Sequence, residues 1–141
     1  MSTIFTKIIE GEIPGTFVWR DHRCAAFMSI NPLRTGHVLV VPKDEIDHWL
    51  DCPPDLRDHL AGASQTIGHA LQKVYQPERV GLMIAGLEVP HLHVHLVPID
   101  TVRDMDFANA AASVDRADLE EQAASIRHVL TSMGAEGVSD R

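Results

Sequence analysis

The chain has 141 residues, 45% of them hydrophobic, with twenty acidic side chains against twelve basic ones and a formal net charge of −8. A chain of this length makes one domain that buries roughly two-thirds of its unfolded surface, enough to fold without crosslinks or a metal. The acidic balance argues against duplex nucleic acid as a partner, which needs a basic footprint, but leaves room for a small nucleotide held by local donors.

In chain order, Thr16–Arg20 is β-branched and aromatic, follows Pro14-Gly15, and is predicted as a strand. A turn at Asp21-His22 leads into a second strand over Arg23–Ser29, and Asn31-Pro32 ends it. His37–Val41 is a continuous apolar run closed by Pro42, as expected of a strand covered on both faces. Leu56, Leu60, Ala63, Ile67, Leu71 and Val74 recur every three or four residues, which predicts a helix over 53–75 with Asp51 as N-cap and Pro77 as its stop. Val80–Ala85 reads as a fourth strand ending at Gly86, and the strictly alternating His91–Val97 as a fifth. Leu119, Ala123, Ile126 and Leu130 predict a second helix stopped near Gly134. This order indicates an α+β domain with an antiparallel or mixed sheet. Residues 1–98 form its main body, and 99–141 form a C-terminal extension packed on the same domain. The extension is more acidic, with nine acids and four bases against eleven and eight in residues 1–99.

Cys24 and Cys52 make no disulfide framework, and no CxxC pair marks a zinc ribbon. No N-terminal apolar leader and no apolar run near the ~18 residues of a membrane span are present. The expectation is a cytoplasmic protein with no membrane partner.

Nine histidines are the compositional oddity, and three of them form His91-Leu92-His93-Val94-His95. On a strand, side chains two apart share a face, so the three imidazoles point one way, about 6.6 Å apart, while Leu92, Val94 and Leu96 face the core. Three readings of this row compete: a solvated strand face without a role, a zinc site completed by a carboxylate, and nucleophilic catalysis. A neutral imidazole is a good nucleophile near pH 7, and flanking imidazoles can orient it and protonate a leaving group. For attack on phosphorus, the remaining work is positioning and charge stabilisation.

His91–Val97 resembles the His-φ-His-φ-His-φ-φ signature (φ apolar) of the histidine triad superfamily, closest to its nucleotide-binding branch. Three further blocks are similar in the same order: Thr3–Ile9 with Glu12-Ile13-Pro14, Asp21–Phe27 running on to Ile30-Asn31-Pro32, and Gly36–Lys43. The resemblance implies a roughly five-stranded antiparallel sheet with two main helices, dimerising into a larger sheet. It implies a nucleotide hydrolase or phosphoramidase that cleaves purine nucleoside monophosphate amidates or esters through a nucleotidyl-histidine, without cofactor. The alternatives are a nucleotide-binding or scaffold protein with incidental hydrolysis, and a dinucleoside polyphosphate hydrolase. In this pattern His93 is the nucleophile, His95 sits by the scissile linkage, and His91 and His37 orient the nucleophile. Ile4, Phe5, Ile8, Phe27 and Ile30 surround the nucleobase.

The departures from the family pattern matter as much. Ser29 stands where many relatives carry the aspartate that grips both ribose hydroxyls, and a serine cannot accept bidentately. Leu87-Glu88 replaces a Gln-Ser pair before the triad, so Glu88 is expected to point away and leave backbone N–H groups near Val89 to meet the phosphate. Some bacterial relatives hold zinc with two cysteines, a downstream histidine and the first triad histidine. Here those first three positions are Thr3, Thr6 and Glu45, and no metal site is expected. His22, His48, His59, His69 and His128 are assigned to the surface without a role.

Overall fold

The computed structural model describes residues 2–141. The elements are α1 (Ile4–Ile9), β1 (Phe17–Arg20), β2 (Cys24–Met28), β3 (Val38–Pro42), α2 (Pro54–Tyr75), β4 (Arg79–Met83), β5 (Val94–Ile99) and α3 (Arg116–Ser132). Short 3-10 turns cover Trp49–Asp51, Val102–Met105 and Phe107–Asn109. The strands form one sheet in the order β1-β2-β3-β5-β4, and every neighbouring pair is antiparallel. At the hairpin between β1 and β2, Asp21 Oδ1 accepts from the N–H groups of Arg23 and Cys24 at 2.8 and 2.9 Å. This is the turn chemistry an aspartate supplies.

The two faces of the sheet differ. Val18, Met28, Val38, Val40, Val94 and Leu96 point to one side and pack with Leu56, Ile67 and Leu71 of α2 and Leu119, Ile126 and Leu130 of α3. Ala25, Phe27, Leu39 and Val41 point to the other side, where the six-residue α1 delivers Phe5. Leu39 pairs with His95 across the β3–β5 ladder, so the histidine row lies on this thinly covered face. Gly36 enters β3 at φ +90°, and a Cβ there would stand 2.4 Å from the Tyr75 ring, so only glycine lets the chain turn so close to α2.

Three expectations need correction. The segment His91–His93 is not strand; β5 begins at Val94. The ladder with β3 stops at Val40–Val94 because Pro42, two residues on, has no N–H to donate, and the His91 ring takes its carbonyl instead. The N-cap of α2 is Pro53, with Asp51 inside a preceding 3-10 turn; the C-terminal end falls at Tyr75 as expected, with Gln76 in the left-handed conformation just before Pro77. The third helix, α1, was not predicted: Ile4-Phe5-Thr6-Lys7-Ile8-Ile9 is rich in β-branched residues, and Thr3 makes it helical by accepting from the Thr6 N–H at 3.1 Å. The remaining strand bounds shift by one or two residues, as at β4, which stops at Met83 rather than Ala85.

The tail returns to β1, where Arg20 N–H donates to Gly137 O at 2.8 Å and Ser139 N–H to Val18 O at 3.2 Å, covering that edge of the sheet. The opposite edge, β4, has no partner strand among the described residues. No helix among them is long and apolar enough to cross a membrane.

Candidate active site

His91, His93 and His95 are 0%, 6% and 7% exposed, and each is held by a different device. His91 Nε2–H donates to Pro42 O at 2.7 Å, and its Nδ1 accepts from the Thr3 hydroxyl at 2.6 Å. Both nitrogens of this ring are therefore committed. His93 Nδ1–H donates to the His91 carbonyl at 2.7 Å, so the lone pair lies on Nε2. At the far end, Leu33 N–H donates to His37 Nδ1 at 3.0 Å, which leaves the His37 proton on Nε2. That proton goes to His95 Nδ1 at 2.9 Å, and the His95 proton is thereby fixed on its own Nε2. Side by side in this face stand a base, His93 Nε2, and a donor, His95 Nε2–H, with ring centroids 4.8 Å apart. Neither Nε2 has a partner in the described residues, and neither is sealed from solvent.

Burial favours the neutral form of His37, His93 and His95. It lowers His37 to about 3, with the neighbouring His95 and His93 adding to the effect. It lowers His95 to about 4, helped by His93. His93 is lowered too, chiefly by burial; its bond to the His91 carbonyl and the charge of Glu88 work the other way.

Of the residues expected around a nucleobase, Phe5 and Phe27 lie with Leu39 in one buried cluster, and Ile8 packs against it together with Val89. Phe5 meets Phe27 edge-on at 5.7 Å and His93 at 4.9 Å. Ile4 and Ile30 are exposed beside this cluster rather than buried in it. Ser29 is buried, and its hydroxyl accepts from the Asn31 N–H at 3.2 Å. Glu88 is exposed, and the N–H groups of Leu87, Glu88 and Val89 take no acceptor among the described residues.

Thr3, Thr6 and Glu45 do come together with His91. Glu45 Oε1 accepts from the Thr6 hydroxyl at 2.6 Å and from the Thr3 N–H at 2.9 Å. The set offers two hydroxyls and one carboxylate, and the His91 nitrogen facing it already takes a hydroxyl proton. It does not fit zinc, which wants thiolate and imidazole donors. It is a hydrogen-bonded clasp that pins α1 to the first histidine of the row.

One cluster escaped the sequence reading, which gave His59 no role. Asp21 Oδ2 accepts from His59 Nε2–H and from the Trp19 indole, both at 2.8 Å, with the Cys24 thiol at 3.5 Å. Asp21 and His59 lie 38 positions apart along the chain, and the packing of α2 under the hairpin joins them. The carboxylate is saturated by donors, and burial pushes the thiol pKa up, so the cluster is a strut between the hairpin and α2.

Neutral imidazoles with divided tautomers on a five-stranded antiparallel sheet define a histidine triad protein. A HIT domain model matches residues 10–102, and the chain belongs to the HIT domain family. It is similar to an uncharacterized HIT-like protein of Methanocaldococcus jannaschii, with 39% identity over 100 residues, 67% of this chain and 77% of the relative. The adenylylsulfatase HINT3 of Arabidopsis thaliana is 29% identical over 100 residues, 67% of this chain and 51% of that one. Among solved structures, a Zn-bound histidine triad family protein from Mycobacterium smegmatis superposes with a TM-score of 0.81 at 26% identity. That match covers 96% of this chain and 97% of the other.

Proposed function

We propose that this chain is a hydrolase of purine nucleoside monophosphate amidates or esters working through His93, without cofactor. The observation that carries this reading is the division of tautomers, which leaves a lone pair on His93 Nε2 and a proton on His95 Nε2. His93 Nε2 attacks the α-phosphorus and a P–Nε2 bond forms. The bond from phosphorus to the leaving nitrogen or oxygen breaks, and the departing atom accepts a hydrogen bond from the neutral His95 Nε2–H and takes its proton from water, leaving hydroxide. The nucleotidyl imidazole keeps its Nδ1–H on the His91 carbonyl, which offsets the positive charge on the ring. That hydroxide then attacks phosphorus, the P–Nε2 bond breaks, and the monophosphate leaves with His93 Nε2 restored and His95 unchanged.

The free N–H groups over Leu87–Val89 are suited to the non-bridging oxygens. The base lies in the slot of Phe5, Ile8 and Phe27, rimmed by Ile4 and Ile30. The activity that names the Arabidopsis relative, an adenylylsulfatase, is compatible with this class. A homodimer across the open β4 edge accords with the concavity of about 500 Å3 lined by Ala61, His69, Val80 and Leu82. The test is mass spectrometry of protein quenched during turnover of a slow adenosine phosphoramidate. A nucleotidyl adduct on His93 is expected, and an adduct elsewhere, or hydrolysis undiminished in His93→Ala, removes the reading.

A further inference from the structure

The strut under the β1–β2 hairpin carries more donors than its carboxylate needs. Asp21 Oδ2 receives three, the Trp19 indole and His59 Nε2–H at 2.8 Å each and the Cys24 thiol at 3.5 Å. One carboxylate oxygen offers about two lone-pair directions, so the third donor is surplus. Oδ1 cannot share the load, because the N–H groups of Arg23 and Cys24 already hold it. Asp21 Oδ2, Cys24 Sγ and His59 Nε2 all lie within 4.8 Å of one another. Carboxylate, thiolate and imidazole are the donor types that zinc takes from proteins, and ligands of a tetrahedral ion stand roughly 3.3–3.7 Å apart. The oxygen–sulfur separation of 3.5 Å already has that value, and a shift of about 1 Å in the His59 ring supplies the rest.

The surroundings suit such an ion. The two N–H groups on Oδ1 and the indole on Oδ2 aim the carboxylate from behind, as partners of metal ligands do. Burial, with the Asp21 charge beside it, pushes the Cys24 thiol up, so in the metal-free chain it is the donor seen at Asp21. A Cys24 thiolate and the Asp21 carboxylate together cancel the charge of a divalent ion, and Arg23 is turned onto Asp55 at 2.8 Å. Cys24 is fully buried, whereas the side chains of Asp21 and His59 are 17% and 28% exposed, so the ion enters from their side. His22, exposed and next to Asp21 in the chain, sets its ring edge-on to that of His59 at 5.4 Å, within reach of a fourth position. Cys24 belongs to the core between the sheet and the helices, on the side away from the histidine row, and none of these residues belongs to the clasp at His91.

We propose that Asp21, Cys24 and His59, closed by His22, form a structural zinc site that locks the β1–β2 hairpin to α2. Zinc takes the place of two protons: that of the Cys24 thiol passes to solvent, and the His59 ring carries its own on Nδ1 while Nε2 binds the ion. The ion touches no atom of the hydrolysis proposed at His93, which proceeds with or without it.

The experiment uses the untagged full chain, stripped with chelator and titrated with Zn2+, and with Co2+ as its coloured substitute. One equivalent of zinc should bind with Kd below about 1 μM and raise Tm by roughly 8 °C at a hundredfold excess over Kd. Cobalt should give sulfur-to-metal charge-transfer absorption that Cys52→Ser keeps and Cys24→Ser loses. His22→Ala, a surface change that spares the core, should weaken zinc binding at least about tenfold. X-ray absorption of the wild-type zinc complex needs no variant: one sulfur at ~2.3 Å with nitrogen and oxygen at ~2.0–2.2 Å is expected. A shell without sulfur, which the histidine row alone would give, overturns the proposal. So does a charge-transfer band that survives in Cys24→Ser, or calorimetry that finds no zinc bound. An affinity unchanged in His22→Ala overturns the four-residue site.

Discussion

The two ends of the histidine row use the same side chain in opposite ways. At the His91 end both ring nitrogens are bonded, the ring is fully buried, and the clasp of Thr3, Thr6 and Glu45 closes over it. At the His95 end one nitrogen is held by His37, and the other is left open beside a half-exposed aromatic ring. An imidazole with both nitrogens committed can only support; one with a single committed nitrogen has its tautomer chosen and its chemistry free. His93 lies between the two, taking its orientation from the His91 carbonyl and offering its lone pair on the His95 side. In the proposed hydrolysis the closed end serves as the anchor and the open end as the reactive side.

The contrast breaks most completely at His93 itself. His93→Ala should lower hydrolysis by at least ~10³-fold while monophosphate binding, read by calorimetry, stays measurable. Next comes the device that selects the His95 tautomer. His37→Leu removes the donor to His95 Nδ1 and frees the ring to place its proton on either nitrogen, which should cost kcat about 10²-fold with less change in KM. His37→Gln, which retains an N–H donor, should recover part of that loss. Equal defects in the two variants would show that His37 acts through packing alone.

Acid titration tests the open end of the comparison. An ordinary imidazole titrates near 6.5, whereas burial holds His37 at about 3 and His95 at about 4. Below about pH 6.5 the unfolded chain binds protons that the native chain does not, so stability falls as pH drops. The loss continues through about pH 4, by up to about 1.4 kcal/mol per pH unit for each such ring. His93 is lowered as well, so the acid limb of the rate profile should lie below 6.5. A stability that stays flat between pH 6.5 and 4, measured by urea unfolding, would mean that the rings are not neutral when buried.

Much of this architecture is written in local pattern. Met28 and Val38, or Leu60 and Ile67, sit where period two and period 3.6 place them, because burial on a sheet face or a helix stripe is a property of near neighbours in sequence. The features that escaped depend on distant partners. The helix α1 exists because Thr3 caps it and Phe5 finds Phe27 and His93, whereas its own residues favour a strand. His91–His93 leaves the sheet because Pro42, forty-nine residues earlier than His91, offers a carbonyl and no N–H. That three histidines share a face is visible in their spacing. Which nitrogen of each carries the proton is decided by Leu33 N–H, the His91 carbonyl and the Thr3 hydroxyl, and no spacing rule reports those.

The clasp sharpens the comparison with smaller effects. Thr3→Val leaves His91 Nδ1 buried without a donor, at a cost of about 1–3 kcal/mol, or roughly 3–10 °C in Tm. Glu45→Gln is milder, since an amide oxygen still accepts from Thr3 N–H or Thr6 Oγ1 and the side chain is open to water. The carboxylate is held below its usual range by those two donors, so its contribution is present at neutral pH and fades as acid protonates it. If the clasp acts as one unit, adding Glu45→Gln to Thr3→Val should cost less than it does alone, because Thr3 N–H and Thr6 have then lost the hydroxyl they help to aim. Strict additivity of the two melting shifts would make Glu45 a bystander on the surface. A coupling confined to melting, with kcat untouched, would limit the closed end to holding α1 in place. A coupling that also appears in kcat would carry the influence of the clasp through the hydrogen bond from His93 Nδ1–H to the His91 carbonyl.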